Sequence, residues 1–176
     1  YAWNGSAWIQ RGTDINGETA GDLSGESIAI NDSGDAIIIG ASNNTGANGA
    51  ASGHARVYAW NGSAWTQKGP DLDGEAAADG LGDSVAISGD GNTVAAGSMS
   101  NDPTGGVQNN GHVRVYNWNG STWVQKGQDI DGLGNSEKIG AYLSMATDGS
   151  TIAVGGQGVV RVYSYNGTTW VQKGST

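Results

Sequence analysis

Residues Tyr58–Gly69 read YAWNGSAWTQKG, and near copies stand at Tyr1–Gly12 (YAWNGSAWIQRG), Tyr116–Gly127 (YNWNGSTWVQKG) and Tyr163–Gly174 (YSYNGTTWVQKG). In each copy two short runs rich in Tyr, Trp, Val and Thr flank Asn-Gly. Runs of this kind are strands, and Asn-Gly between two of them is the strongest short hairpin signal. The chain therefore writes one β-hairpin four times. If Asn61 and Gly62 are the two residues of a type I′ turn, Tyr58 faces Trp65, Trp60 faces Ser63 and Arg56 faces Gln67. Tyr58, Trp60 and Trp65 then share one face, and Val57, Ala59, Ala64 and Thr66 the other. A bulky face and a small face suit sheets stacked face to face.

Two further strand signals precede each complete hairpin. SIAIN (from Ser27), SVAIS (from Ser84) and LSMAT (from Leu143) form one set, and AIIIGA, TVAAGS and TIAVGG the second. The links between the sets are DSGD, GDGN and TDGS. The second Trp of each copy falls at Trp8, Trp65, Trp123 and Trp170, so the period is 57, 58 and 47 residues. Four antiparallel strands per period with bulky-on-small stacking describe the blade of a β-propeller. A parallel β-helix would have shorter coils and no Asn-Gly hairpins, and a β-sandwich does not explain a four-strand period. The expected fold is all-β. Residues 1–10 supply the outer hairpin of a half-blade, and blade repeats follow at 11–69, 70–127 and 128–176.

Composition agrees. Gly contributes 32 of 176 residues, Phe is absent, and the seven Trp recur in register, a palette of tight turns and short strands. There is no Cys, which excludes disulfides and thiolate metal sites. The net charge of −9 argues against nucleic-acid binding, which needs a basic surface. No run approaches the length of a membrane-spanning helix. The chain opens on a repeat residue with no leader pattern, so the natural N-terminus is expected outside it.

The succession Gly-x-Ser-Val-Ala-Ile-Ser, Asp-Gly, Thr-Val-Ala-x-Gly, Val-x-Val-Tyr and Trp resembles the FG-GAP-type repeats of integrin-α-like β-propellers, in a variant of large bacterial and algal surface proteins. The Phe position of that pattern is replaced each time, at Ser24-Gly25, Leu81-Gly82 and Ile139-Gly140. The Pro is lost at Gly40-Ala41-Ser42, Gly97-Ser98 and Gly155-Gly156. The resemblance implies a calcium loop between the first and second strands. The links here are too short to wrap a cation with six to eight oxygens, and plain turns are expected there.

Another acidic pattern lies between units: DINGETAGD, DLDGEAAAD and DIDGLGNSE. Alternating oxygen ligands before Gly are similar to the first half of a calcium loop. The candidate ligands are Asp14, Asn16, Glu18 and Asp22, then Asp71, Asp73, Glu75 and Asp79, then Asp129 and Asp131, with Leu133 in place of the third acid. The competing reading is a solvated connection whose Asp side chains cap turns. His54 and His112 share one repeat position and are expected to end the variable loop with a hydrogen bond to backbone. Trp3, Trp60 and Trp118 lie beside hairpin tips, with Tyr165 in the fourth copy, where they either stack on a sugar or pack between blades. Asn4, Asn61, Asn119 and Asn166 are formal N-glycosylation acceptors at the tips, and Asn31 and Asn43 head two more sequons.

No catalytic constellation stands out, because the acids and hydroxyls are periodic where a catalytic site is singular. The expectation is a non-enzymatic, extracellular or cell-surface propeller segment serving as a structural or adhesive scaffold. It requires no cofactor, and any affinity is placed in the variable loops between second and third strands. The alternative is a glycan-binding module, calcium-dependent or aromatic-based, with surface glycans or proteins as partners. Three and a half blades cannot close a ring of four to eight. A fragment of a longer propeller, assembly with copies of itself, or one stretch of a long fibre each answer that. Alone, the segment is expected not to be a stable monomer.

Overall fold

The structure is a computed structural model, and it describes residues 1–102, 109–134 and 136–174. Its strands are β1 (Ala2–Trp3), β2 (Trp8–Ile9), β3 (Ser27–Ile30), β4 (Ala36–Ala41), β5 (His54–Trp60), β6 (Trp65–Gln67), β7 (Leu72–Asp73) and β8 (Ser84–Ile87). They continue with β9 (Thr93–Ser98), β10 (His112–Trp118), β11 (Trp123–Gln125), β12 (Ile130–Asp131), β13 (Tyr142–Met145), β14 (Thr151–Gly156), β15 (Val159–Tyr165) and β16 (Trp170–Lys173). Three antiparallel sheets, β3-β4-β5-β6, β8-β9-β10-β11 and β13-β14-β15-β16, follow the β1-β2 hairpin. Their first strands sit side by side, β3 against β8 and β8 against β13, so the sheets fan out from one axis. The chain is a β-propeller segment: three four-stranded blades and an outer hairpin, not closed into a ring. Among the described residues no helix is long and apolar enough to cross a membrane.

The fourth strand of a blade is interrupted. β6 pairs with the end of β5, and β7 pairs with its start (His54↔Asp73, Ala55↔Leu72). Between them Lys68 N–H donates to Val57 O and Gly69 takes φ +84°, so the chain leaves the ladder for four residues. β11 and β12 repeat this against β10. Such an excursion re-aims side chains. Here it throws Lys68 towards the next blade.

The hairpin tips differ from the expected turn. Trp60 pairs with Trp65, Ala59 with Thr66 and Tyr58 with Gln67, so the loop holds four residues, Asn61 to Ala64. Only Gly62 has positive φ (+102°). The physical reason is the Asn61 side chain. Its Oδ1 accepts from Ser63 N–H (3.0 Å), Ser63 Oγ (3.0 Å) and Ala64 N–H (2.9 Å). That side-chain turn competes with the backbone turn of type I′. Asn4, Asn119 and Asn166 accept in the same way. The shift leaves Tyr58, Trp60 and Trp65 on one face, but puts the two indoles directly opposite, 5.5 Å apart at 60°.

Two apolar cores fill the gaps between blades. Ala36, Ile38, Ala55 and Val57 of the first blade meet Val85, Ile87, Val94 and Trp123 of the second. Ala86, Ala95, Val113 and Val115 of the second meet Ile139, Ile152, Val154 and Trp170 of the third. Each blade thus offers a small face forward and a bulky face backward. The approach is closest at glycine. Gly82 seats its carbonyl on Gly40 and Gly140 seats its carbonyl on Gly97, where a Cβ would overlap the oxygen.

Candidate functional site

Chemistry-bearing side chains collect at the blade interfaces, in two repeated groups. The first lies at the outer rim. Trp65 Nε1 donates to Arg11 O (3.0 Å), Trp123 Nε1 to Lys68 O (2.7 Å) and Trp170 Nε1 to Lys126 O (2.6 Å). The cation of the same residue then lies against the next blade's aromatic pair. Arg11 is 4.7 Å from the Trp60 ring, Lys68 is 5.4 Å from Trp118 and 5.3 Å from Trp123, and Lys126 is 5.1 Å from Tyr165. Its charged end continues to the turn beyond: Arg11 to Gly34 O (2.7 Å), Lys68 to Gly91 O (2.9 Å) and Asn92 Oδ1 (2.8 Å), and Lys126 to Gly149 O (2.9 Å). One cation therefore joins a strand end, two rings and a turn across each interface. Trp60 and Trp118, candidates for stacking on a sugar, hold these cations and are half-buried, whereas Trp3 is 55% exposed.

The second group lies where β5 and β10 begin. His54, Arg56 and Asp71 share one end of the first blade. Arg56 Nε and Nη2 donate to both oxygens of Asp71 (2.8 and 2.7 Å), and Nη2 also meets Glu18. His54 Nδ1 is 3.8 Å from Asp71 Oδ2. In the second blade Arg114 donates to Asp129 (2.9 and 2.8 Å) and to Glu75, and His112 Nδ1 lies 3.8 Å from Glu75. The ligand atoms of Glu18, His54 and Asp71, and of Glu75, His112 and Asp129, fall within 4.8 Å of one another. His54 and His112 are buried at the first position of their strands, beside carboxylates, and among the described residues neither side chain makes the hydrogen bond to backbone that the sequence led one to expect. Burial, and then the neighbouring Arg, pushes both imidazoles below their usual value and keeps them neutral. The Arg56 bond holds Asp71 low. Burial opposes the same shift at Asp129, but the Arg114 bonds prevail.

The acids of the inter-unit pattern are divided among several partners, two of them shared. Asp14 accepts from Gln10 and Asn16 is exposed. Glu18 and Asp71 meet Arg56, and Glu75 and Asp129 meet Arg114. Asp22 is buried, accepting from Thr19 N–H and Asn44 Nδ2, and Asp79 accepts from Ala76 N–H and Asn101 Nδ2. Asp73 pairs opposite His54, and Asp131 opposite His112. Burial pushes Asp73 and Asp131 upward. In both clusters a guanidinium already stands among the carboxylates, where a metal ion would have to displace it. The third blade has Val159 at the His position, and Glu137 takes Arg161 bidentately (2.8 and 2.8 Å) where Leu133 interrupts the pattern.

The sequence reading missed Arg56, Arg114, Arg161, Glu137 and the rim cations. The signal was present as Arg-Val-Tyr in every complete unit and as Lys or Arg before the Gly that ends each hairpin copy.

No protein-family model and no curated protein matches the chain. Among solved structures it is similar to a putative 6-phosphogluconolactonase from Bacteroides uniformis (16% identity, 83% of this chain and 37% of that one, TM-score 0.54). It is also similar to the complex of KlAtg21 with the coiled-coil of AgAtg16 (11%, 85% and 43%, TM-score 0.56). A third is the GH74 enzyme of Niastella koreensis (15%, 83% and 23%, TM-score 0.51). The chain spans less than half the length of each. At these identities the likeness shows the fold alone.

Proposed function

We propose that the protein is a non-enzymatic propeller scaffold of the integrin-α-like FG-GAP type, displayed outside the cell as a structural or adhesive element. One observation supports this above others. The repeated polar and aromatic groups are engaged in holding the blades, from the rim cations on the next blade's rings, and Arg114 reaching back to Glu75, to the Arg–carboxylate pairs within each blade. What varies between units is the loop between second and third strands, residues 42–53 and 99–111, of which 103–108 lie outside the described residues. Binding to a partner is assigned to those loops. The hairpin tips, with Asn4, Asn61, Asn119 and Asn166 exposed, then carry N-glycans in a host that adds them.

A second reading is a calcium-dependent or aromatic-based glycan-binding module. It draws on the clustered ligand atoms of Glu18, His54 and Asp71, and on the open Trp3. Thermal unfolding with calcium and with a chelator, together with a glycan array, separates the two. A melting temperature indifferent to both additions and a silent array support the scaffold. Stabilisation by calcium, or a glycan signal lost in Trp3→Ala, overturns it in favour of the binding module.

A further inference from the structure

The joint between the first and second blades differs chemically from its repeats. Lys68 Nζ donates to Asn92 Oδ1 (2.8 Å), and Asn92 Nδ2 donates to Asp90 Oδ2 (3.2 Å). An amine, a carboxamide and a carboxylate thus stand in one chain of contacts, with the amine against the Trp118 and Trp123 rings. Among the described residues the sister joints lack this set. Arg11 and Lys126 reach Gly34 O and Gly149 O, but Asp35 and Ser150 stand where Asn92 does. Arg11 brings no amine, and neither Asp35 nor Ser150 brings an amide.

Both partners are also held by their backbones. Lys68 N–H donates to Val57 O (2.7 Å), and Lys68 O accepts from Trp123 Nε1 (2.7 Å). Asn92 O accepts from Trp118 N–H (2.8 Å), and Asn92 N–H donates to Asp90 Oδ1 (3.0 Å). Ser88 Oγ in turn fixes Asp90 (2.6 Å). Holding two reactants in contact removes most of the entropic cost of bringing them together. Burial lowers the Lys68 pKa, against the opposing charges of Asp90 and Asp35, so its amine loses a proton more readily than that of an open lysine. The Ser88 bond, ahead of the other contacts, holds Asp90 below the usual carboxylate range and keeps it a proton acceptor.

We propose that Lys68 and Asn92 join covalently, through an isopeptide bond between Lys68 Nζ and Asn92 Cγ that ties the first blade to the second. The uncharged amine attacks Cγ, and the bond from Cγ to Nδ2 breaks. Asp90, already in contact with Nδ2, takes a proton from Nζ and passes it to Nδ2, which leaves as ammonia. One amide replaces another, and nothing is oxidised or reduced. At neutral pH most Lys68 is charged, so the ionic rim contact prevails and the reaction is slow. It quickens as pH rises and more of the amine is uncharged. The bond stands whether or not the protein is displayed outside the cell.

Intact-mass spectrometry of the whole chain tests it, at neutral pH and at about pH 9, below the ordinary lysine value of about 10.4. Circular dichroism alongside checks that each protein is folded. The expected product is lighter by one ammonia and gathers faster at the higher pH. Trypsin leaves its residues 57–114 in one piece, because Lys68 is no longer cut, and fragmentation places the link between Lys68 and Asn92. Lys68→Arg and Asn92→Ser, which copy Arg11 and Ser150 of the sister joints, are expected not to form it. Asp90→Ser, which copies Ser33, is expected to slow it roughly a hundredfold. A folded parent that keeps its full mass and is still cut at Lys68 overturns the bond and leaves the scaffold reading standing. So does an ammonia loss that Lys68→Arg retains in full, which marks a succinimide at an Asn-Gly pair instead. An unchanged rate in Asp90→Ser overturns the proton relay.

Discussion

Lys68 is expected to hold the first and second blades together, and Lys68→Met isolates its charge from its stem. The ammonium lies 5.4 and 5.3 Å from the Trp118 and Trp123 rings and donates to Gly91 O and Asn92 Oδ1. A cation over an aromatic ring contributes about 0.5–2 kcal/mol, more as water is excluded. A hydrogen bond from a charged group contributes roughly 1.5–3 kcal/mol when its acceptor is removed from water. Against these stands the desolvation of the ammonium, which also lowers its pKa. The balance is a loss of about 2 kcal/mol in Lys68→Met, roughly thirtyfold in the folding equilibrium. Lys68→Arg is expected to hold within about 0.5 kcal/mol, the range of a neutral surface change, because Arg11 does the same work one blade earlier. Urea unfolding followed by tryptophan fluorescence and by circular dichroism measures both. A Lys68→Met protein as stable as the parent, with an unchanged Trp123 indole N–H exchange rate, refutes the account of the rim contact.

Gly97→Ala drives a Cβ into the Gly140 carbonyl, and the two sheets must part. A loss of about 3 kcal/mol or outright failure to fold is expected by the same urea assay. Gly5→Ala is the comparison, since open space surrounds Gly5 and only its φ of +100° is strained. Glu137→Ala leaves the 6%-exposed Arg161 without its carboxylate, and about 3 kcal/mol should be lost, with Glu137→Asp recovering part of it. His54 and His112 have folded pKa values below the 6.5 of the unfolded chain. The unfolded state therefore binds the extra protons, and their contribution is whole above pH 6.5 and is lost as pH falls through the folded values. Melting temperature should drop on that side, less steeply in the double His→Gln protein. Asp83, pushed up to about 6 by burial and by Glu26, acts in the opposite sense: its contribution is present below 3.8 and lost as pH rises through about 6. At neutral pH Asp83→Asn, which keeps an acceptor for Met99 N–H, should gain about 1 kcal/mol in the urea assay.

The strand plan was legible because each strand is short, apolar and bounded by Gly, Asn or Asp, all local signals. The hairpin register was not, since one side-chain oxygen on Asn61 decides it and Asn-Gly suits two turns. Of the candidate site, the acids were visible and their partners were not. Glu75 reads as a calcium ligand until Arg114, 39 residues away in the next blade, is found beside it. Trp118 reads as a sugar platform until Lys68 is found against its ring. His54 and His112 were singled out, but their burial among Arg and carboxylates depends on the interrupted fourth strand, which no run of residues announces.

YAWNGSAWTQKG by itself determined a hairpin, its repetition, and through the period a stack of four-stranded blades with one bulky and one small face. Those properties follow from spacing along the chain, where side chains alternate and Gly and Asn mark the turns. The tertiary structure alone decided what the periodic residues are for. Charges and rings separated by many residues meet only when blade packs on blade. That packing turns tryptophans, and an acid such as Glu75, into the joints between sheets.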